Sequence, residues 1–335
     1  MIGSYKLTVD GKDISDQIFG SGANKIIYRD NMGLVSDTMD ITLNDAGIDK
    51  QKLFPDGAQV EAEFTTDAGK TLKTGALFVD TYDGRIDSGG DAGGSDLTVG
   101  TNSQPEKRPS MRTYISYNKK EVLLSVLLRD VLRKADLGLV YRFDKAPFQH
   151  WYVKLKSVTH QNEQLGPILR QYAEMFGCYL KVYDDKVIYA NKEAFKLDPV
   201  LKTINPSETS VRGFRYNINE HQYNEYEVSY YDPRTGKYTQ DKKSKKSVLT
   251  TDSETVKRII ASIADVDAAR ALAMAVDGQR QAYVTFNTDG DDKAIAGAVW
   301  EITQLMKLSG KYVITSAVHT IDKNWTVEIN ADNIF

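Results

Sequence analysis

The chain has 335 residues, 27% of them charged, and a formal net charge of −3 at pH 7. This length is enough for two or three packing units, and so small a net charge excludes the strong electrostatic field of a general nucleic-acid or membrane binder. Cys178 is the single cysteine, which excludes an intramolecular disulfide and a cysteine-rich zinc cluster and is typical of a reducing compartment. No apolar run of about 18 residues occurs, so the sequence predicts neither a membrane span nor a signal peptide.

Alternating apolar and polar residues predict an antiparallel β meander in the first hundred residues. Strands are expected at 5–9, 38–43, 60–64, 75–80 and 97–99. The segment Leu53-Phe54-Pro55-Asp56-Gly57 reads as a turn, because proline fixes φ and glycine accepts a positive φ. Residues 1–104 are therefore predicted to form a first small β-barrel.

The apolar period changes after a polar segment that contains two prolines. Helical spacing predicts one helix over 121–132 and a second that begins after Asn162 and ends at Gly177, a suitable left-handed cap. A hairpin follows, with strands at 179–183 and 186–189. Residues 105–205 are therefore predicted to be an inserted α+β domain.

Strands return in the last third of the chain and are expected at 225–231, 237–239 and 282–286. Between them, Ser253 is the expected cap of a long alanine-rich helix that runs to about Gln281. Residues 206–335 are predicted to form a second β-barrel that carries this helix at about 253–281.

Four lysines stand close together in this part of the chain, at positions 242, 243, 245 and 246. They lack the interleaved aromatic residues that a nucleic-acid surface uses for stacking. A solvated loop is the favoured interpretation, and a nucleic-acid patch is the alternative.

The end of the chain repeats spacings found near its beginning. Intervals of four and eleven residues separate Gly75 from Val79 and Ile86, and Gly310 from Ile314 and Ile321. Gly57 with Val60 matches Gly297 with Val299, and Leu97-Thr98-Val99 matches Trp325-Thr326-Val327. This order predicts two related barrels in one chain, and chance similarity of two unrelated meanders is the alternative.

Candidate chemical residues are scattered. His150, His160, His221 and His319 fall on different predicted elements, without the spacing of metal ligands, so each is expected to be an ordinary surface or core histidine. Cys178 lies between a helix and a strand, where a small buried residue is usual and where no neighbouring base suggests a nucleophile.

Two loops resemble ligand-binding motifs without meeting their requirements. The segment 287–292 resembles the start of a calcium loop, but Thr285 and Ala296 stand where acidic ligands are needed, so a turn is the better interpretation. The glycine-rich segment 89–94 lacks the Gly-Lys-Ser/Thr of a phosphate loop. We therefore expect no catalytic, cofactor or metal site.

Several segments together resemble the phage late-control protein D family, the baseplate hub proteins of contractile tails, which are similar to the N-terminal part of the VgrG spike of type VI secretion. The resemblance begins with Leu7-Thr8-Val9-Asp10-Gly11, continues through Ser36-Asp37-Thr38-Met39-Asp40 and the turn at Pro55, and recurs at Gln161-Asn162-Glu163 and Gly310-Lys311-Tyr312. It covers most of the chain but includes no catalytic signature.

This resemblance implies a structural hub. Hubs of the family are trimers in which each chain supplies two barrels similar to a tail-tube subunit, so that three chains form a ring of six. It implies contacts with a tail tube protein, a central spike protein and other baseplate proteins, in a virion or phage-tail-like particle made in the cytoplasm of a host bacterium. The chain ends at Phe335 without a β-helical needle, which implies a separate spike.

A cell-wall or saccharide-active enzyme with a β-barrel core is the alternative function. Such enzymes use paired carboxylates, and no pair stands out among the 46 acidic residues. The missing motif favours the structural hub, and the mass in solution separates the two hypotheses because a catalytic monomer has no need of a trimer.

Overall fold

Strands dominate the described part of the chain, at 59% against 15% in helices, which confirms the mainly β class. The computed structural model describes residues 2–19, 25–33, 36–44, 52–86, 95–103, 110–142, 154–176, 178–183, 186–218, 225–232, 237–244, 256–261, 282–322 and 324–334. Within these ranges, no helix is long and apolar enough to cross a membrane.

The described residues of the N-terminal third form strands and one short helix. Its elements are β1 (Ile2–Val9), β2 (Lys12–Asp13), α1 (Ser15–Phe19), β3 (Lys25–Asn31), β4 (Thr38–Asn44), β5 (Gln59–Thr66), β6 (Thr71–Lys73), β7 (Leu77–Ile86) and β8 (Ser95–Asn102). Buried and exposed side chains alternate along β3 and β5, as a half-buried sheet requires. The predicted meander has the wrong strand order, however. β4 pairs with β3 and β8, while β5 pairs with β1, β6 and β7.

The middle of the chain alternates helices and strands. Its elements are β9 (Tyr114–Leu123), α2 (Leu124–Arg133), β10 (Gly138–Arg142), β11 (Lys154–Gln164), α3 (Leu165–Phe176), β12 (Cys178–Tyr183), β13 (Lys186–Asn191) and α4 (Lys192–Lys196). The predicted hairpin is confirmed as β12 paired antiparallel with β13. The proposed cap Gly177 lies outside the described residues.

The first predicted helix begins too early. Glu121 has a positive φ of 53° and, with Val122, still belongs to β9, where Val122 lies opposite Leu155 of β11. The helix α2 starts only at Leu124, and its buried face is Leu124, Leu127, Leu128, Val131 and Leu132. The apolar face of the helix is where the sequence predicts it. The first residues of the predicted helix, 121–123, instead belong to β9, which pairs with β11.

Strands make up most of the described elements in the last third of the chain. They are β14 (Lys202–Ile204), β15 (Arg212–Ile218), β16 (Glu225–Asp232), β17 (Lys237–Ser244), β18 (Val256–Ala261), β19 (Ala282–Asp289), β20 (Val299–Ile302), β21 (Gly310–Ile321) and β22 (Trp325–Asn333). The long helix predicted at about 253–281 is wrong where it is described, because Val256–Ala261 forms β18, parallel to β16. The rest of that predicted helix, including Ser253, lies outside the described residues.

One sheet of 14 strands joins the two ends of the chain. Its strands follow the order β15-β19-β22-β21-β3-β4-β8-β7-β5-β1-β2, with β6, β14 and β20 paired at its sides. The antiparallel pair β21 and β3 connects the C-terminal strands to the N-terminal strands. No sheet closes on itself within the described part of the chain, so the two barrels remain a prediction.

The buried apolar residues form separate clusters. The largest combines residues from both ends of the chain, for example Met39 and Phe64 with Phe286 and Trp300. A second cluster lies wholly in the middle of the chain and includes the buried face of α2. The domain boundaries at residues 104 and 205 stay predictions.

Candidate assembly surface

The large sheet contains one five-strand unit twice. The order β3-β4-β8-β7-β5 in the N-terminal third matches β15-β19-β22-β21-β20 in the C-terminal third. The register matches as well, because Met39 lies opposite Thr101 where the second copy has Val284 opposite Ala331. We call these the N-terminal copy and the C-terminal copy.

The turn that precedes β5 and β20 is built alike in both copies. Gly57 has φ 74° and donates its N–H to the carbonyl of Val79 at 3.0 Å, and Gly297 has φ 93° and donates to Ile314 at 2.8 Å. A register shift follows directly after Val79 in β7 and directly after Ile314 in β21. These agreements extend the repeat found in the sequence from spacing to hydrogen bonding. Further along, the strand register aligns Leu97 with Val327, two residues beyond the sequence match to Trp325.

In the C-terminal copy, β21 covers the edge strand of the N-terminal copy. His319 lies opposite Tyr28, and the two rings stack with centroids 5.8 Å apart. His319 is fully buried, with Nε2 2.9 Å from the carbonyl of Ala294, while its Nδ1 accepts the indole N–H of Trp325 at 3.1 Å. This pattern selects the neutral ring that carries its proton on Nε2. Burial lowers the pKa of His319 to about 4.

The corresponding edges at the other side of each copy are uncovered in the described residues. β15 ends the large sheet, and β7 pairs with β5 only through Leu77 and Phe78, so the edge of Thr81–Ile86 away from β8 has no described neighbour. Tyr216, the position in β15 that corresponds to Tyr28, is 58% exposed, whereas Tyr28 is 4% exposed. An unpaired sheet edge readily accepts another strand, so these edges are the candidate assembly surface.

A buried polar cluster attaches the middle of the chain to the sheet. Lys181 of β12 forms an ion pair with Asp30 of β3, and its Nζ lies 3.7 Å from the Asp37 carboxylate. Asp30 also accepts the backbone N–H of Ala296 at 2.9 Å, and Asp37 accepts that of Asn31 at 2.9 Å. One ammonium thus serves two buried carboxylates and ties three distant segments together.

The two carboxylates of this cluster compete for one cation. Burial, reinforced by the negative charge of Asp30, raises the pKa of Asp37 to about 7, although Lys181 opposes the shift. A proton on Asp37 therefore removes the repulsion between the Asp37 and Asp30 carboxylates near neutral pH.

The other histidines and the cysteine behave as structural residues where they are described. His160 is buried in the middle of the chain and contacts Glu163 at 3.0 Å and the Tyr172 hydroxyl at 3.1 Å. Cys178 is buried, and burial raises the pKa of its thiol, so the reactive thiolate is disfavoured. His150 and His221 lie outside the described residues.

Two carboxylates of the segment 287–292 form ion pairs with other residues of the chain. Asp289 pairs with Arg212 at 2.7 Å, and Asp291 pairs with Lys202 at 2.6 Å. In the described ranges, no cluster of three or more His, Cys, Asp or Glu side chains could hold a metal ion. The glycine-rich segment 89–94 lies outside them.

The lysine run begins in a strand, not in a loop. Lys242 and Lys243 belong to β17 and lie opposite Glu227 and Tyr226 of β16. Lys245 and Lys246 lie outside the described residues.

Sequence reasoning missed Lys181, Asp30 and Asp37 as a cluster. Asp30 and Lys181 are 151 positions apart, and nothing in their local sequence links them. A charged residue on the buried face of a strand is the available signal: Asp30 occupies such a position in β3, next to the alternating apolar residues Ile26 and Tyr28.

Comparison with known proteins finds relatives in structure alone. No protein-family model matches the chain, and no curated protein matches it. A tail protein from Neisseria meningitidis superposes with a TM-score of 0.68 at 11% identity, over 98% of this chain and 97% of that one. The 43 kDa tail protein of prophage MuSo2 from Shewanella oneidensis gives 0.63 at 11% identity, over 98% and 96%.

A third similar structure comes from a secretion system. The c3393 protein of E. coli, a type VI secretion component with structural similarity to the bacteriophage T4 tail proteins gp27 and gp5, gives a TM-score of 0.55 at 10% identity, over 99% of this chain and 76% of that one. The resemblance to baseplate hub proteins seen in the sequence is thus confirmed at the level of the fold. The chain has the fold of phage tail and VgrG-related proteins along nearly its whole length.

Proposed function

We propose that the chain is the structural hub of the baseplate of a contractile tail or phage-tail-like particle. Three copies form a ring in which six five-strand units surround the axis, so that a threefold spike below meets a sixfold tail tube above. The hub is also the surface on which tube assembly begins. In this proposal the hub acts as a structural adaptor between the spike and the tube, and it catalyses no reaction.

The repeat supports this proposal most directly. Two copies of one unit in each chain allow a trimer to present a nearly sixfold face, whereas a single unit would need six chains. The pairing of β21 with β3 supplies the joint between adjacent units inside a chain. The fold shared with tail proteins over their full length agrees with this use.

The partners follow from the position of a hub. They are the tail tube protein on one face, the central spike protein on the other, and further baseplate proteins outside. The particle is a virion or a phage-tail-like injection machine, assembled in the cytoplasm of the host bacterium. The middle of the chain, held by the Lys181 cluster, lies outside the ring or on its spike side.

The mass of the full-length chain, measured alone and with the tube and spike proteins of the same particle, tests this function. A trimer that binds both partners and buries more than about 2,000 Å² between copies is expected, as in other obligate assemblies. A monomer that binds neither partner would contradict it. Release of reducing sugars from purified cell wall by that monomer would favour the saccharide-active enzyme instead.

A further inference from the structure

We propose that residues 82–85 of β7 in one copy pair antiparallel with residues 215–218 of β15 in the next copy, in the register that β21 and β3 use inside the chain. This proposal rests on the threefold hub proposed above. It adds the strands, the register and one side-chain contact that closes the joint.

The register follows from the equivalence of the two units. Within the chain, His319 lies opposite Tyr28 and Val318 lies opposite Arg29. Gly84 takes the place of His319 because it lies opposite Leu97 in β8 as His319 lies opposite Val327 in β22.

The same comparison fixes the positions in the other strand. Tyr216 lies opposite Val284 in β19, as Tyr28 lies opposite Met39 in β4. The transferred pairs between copies are therefore Gly84 with Tyr216, Asp83 with Asn217, and Tyr82 with Ile218.

The exposure of Tyr216 indicates a missing neighbour on the core side of the sheet. Directly opposite residues of an antiparallel pair share a face, and Val284, opposite Tyr216, is fully buried. Tyr216 nevertheless stays 58% exposed, while Tyr28, beside β21, is 4% exposed. A strand supplied by a second copy would cover Tyr216 as β21 covers Tyr28.

Gly84 leaves room for the Tyr216 ring. A Cβ built on Gly84 meets no atom within 4 Å, so the backbone there is open where His319 fills the corresponding position with an imidazole. An aromatic ring laid over a cross-strand glycine shields the backbone and packs without a clash. Within the chain, the joint is filled by two rings, His319 of β21 and Tyr28 of β3. Between chains, Gly84 takes the place of the histidine, so the Tyr216 ring alone would fill the joint.

Charges on the other face of the joint are mixed. The transferred register places Arg85 opposite Arg215, and it places Asp83 diagonal to Arg215 on the same face. The joint therefore depends on backbone pairing and on Tyr216 rather than on ion pairs.

A disulfide tests the register in the full-length chain. Opposite residues of an antiparallel pair have Cα atoms about 4.5–5.5 Å apart, which a disulfide can bridge, whereas a diagonal pair is about 7–8 Å apart. The variant Asp83→Cys with Asn217→Cys should form covalent dimers and trimers on mild oxidation in the presence of the tube protein. The matched control Asp83→Cys with Arg215→Cys, two residues out of register on the same face, should form at least tenfold fewer.

The outcomes separate the register from the function. Efficient cross-linking of the first variant alone supports the proposal. Equal cross-linking of both variants, or a trimer by mass in which neither cross-links, overturns the register and leaves the hub standing. A chain that stays monomeric with its tube and spike proteins overturns the hub and the joint together.

Removing the ring tests the contact. Tyr216→Ala should raise the concentration of half-assembly at least tenfold, because a buried tyrosine at an interface centre contributes more than about 1.4 kcal/mol. Gly84→Leu should have a similar effect by occupying the space of the ring. Tyr283→Ala, which removes a 45% exposed tyrosine from the neighbouring strand on the opposite face, is the control and should leave assembly unchanged. Both tyrosine variants should retain the thermal midpoint of the parent monomer, and unchanged assembly of Tyr216→Ala would overturn the contact.

Discussion

Tyr28 and Tyr216 occupy the same position in two copies of one five-strand unit, yet Tyr28 is buried and Tyr216 is 58% exposed. The difference lies in the neighbour. β3 carries Tyr28 and is covered by β21 of the other copy, whereas β15 carries Tyr216 and ends the sheet in the described part of the chain. The edge of β3 shows how two units pair within this chain. We propose that the edge of β15 pairs in the same way with a strand of another copy.

The comparison teaches how one chain can specify a ring. A repeated unit has two lateral edges, and joining two units within the chain uses one edge of each. The remaining edges expose backbone donors and acceptors, which leads to uncontrolled association unless they are paired. Closure of a ring pairs every edge and limits growth.

The largest expected effect comes from breaking the covered joint. Ala317 is fully buried in β21 and lies opposite Asp30 of β3. Ala317→Asp would bury an unpaired carboxylate beside another one and should cost about 3–5 kcal/mol of unfolding free energy, measured by urea denaturation. Val318→Asp, on the opposite face of the same strand and facing Arg29, is the matched control and should cost less than about 1 kcal/mol. Equal losses in both variants would contradict the placement of the joint.

The next effect compares the two tyrosines directly. Tyr28→Ala removes a buried ring that stacks on His319, and the loss should be about 3 kcal/mol in the unassembled chain. Tyr216→Ala removes an exposed ring, and the same measurement on the monomer should change by less than about 0.5 kcal/mol. A large loss for Tyr216→Ala in the monomer would mean that β15 is already covered within the chain.

Acid should weaken the covered joint through His319. The folded-state pKa of about 4 lies below the ordinary value of 6.5, so the folded chain binds this proton less readily than the unfolded chain. The contribution is complete above pH 6.5, declines as the pH falls, and levels off below pH 4, with a loss of at most about 3 kcal/mol. His319→Gln, which does not titrate, should lack this decline in unfolding free energy between pH 6.5 and 4. If the unfolding free energy of His319→Gln declined with acid as steeply as that of the parent, a residue other than His319 would be responsible for the decline.

An effect of comparable size, with the opposite dependence on pH, concerns the cluster that holds the middle of the chain. The pKa of Asp37 is raised from 3.8 to about 7, so the folded chain favours the protonated carboxyl. Its contribution is complete below pH 3.8 and is lost as the pH rises through 7. Asp37→Asn should therefore remove a decline in unfolding free energy of about 3 kcal/mol between pH 5 and 8. Asp67→Asn, an exposed residue in a turn, should keep the parental profile, and a profile for Asp37→Asn that matches it would contradict the shared-proton arrangement.

Features that depend on local chemistry could be predicted from the sequence. The glycines at 57 and 297 are required by a positive φ in matching turns, so the repeat left a trace in residue identity. The sequence match is less exact toward β8 and β22, because the insertion at 87–94 permits two alignments. It pairs Leu97 with Trp325, whereas the strand register aligns Leu97 with Val327. The helix predicted over β18 is wrong because the spacing of Val256, Ile259 and Ile260 fits a short strand as well as a helical face.

Features that depend on distant pairing could not be predicted. The pairing of β21 with β3 joins Ser316 to Asn31, which are 285 positions apart, and alternation along a strand does not identify its neighbour. The exposure of Tyr216 is of the same kind, because the alternation of Phe214, Tyr216 and Ile218 with polar residues does not show which strand lies beside them. That β15 is an edge strand becomes apparent only from the pairing of the other strands in the sheet.

A cryo-electron microscopy reconstruction of the full-length chain assembled with its tube protein tests the central claim most directly. The account predicts three copies around the axis, six five-strand units facing the tube, and β7 of each copy hydrogen-bonded to β15 of the next with Gly84 opposite Tyr216. Six copies around the axis, or three copies joined through other strands, would contradict it.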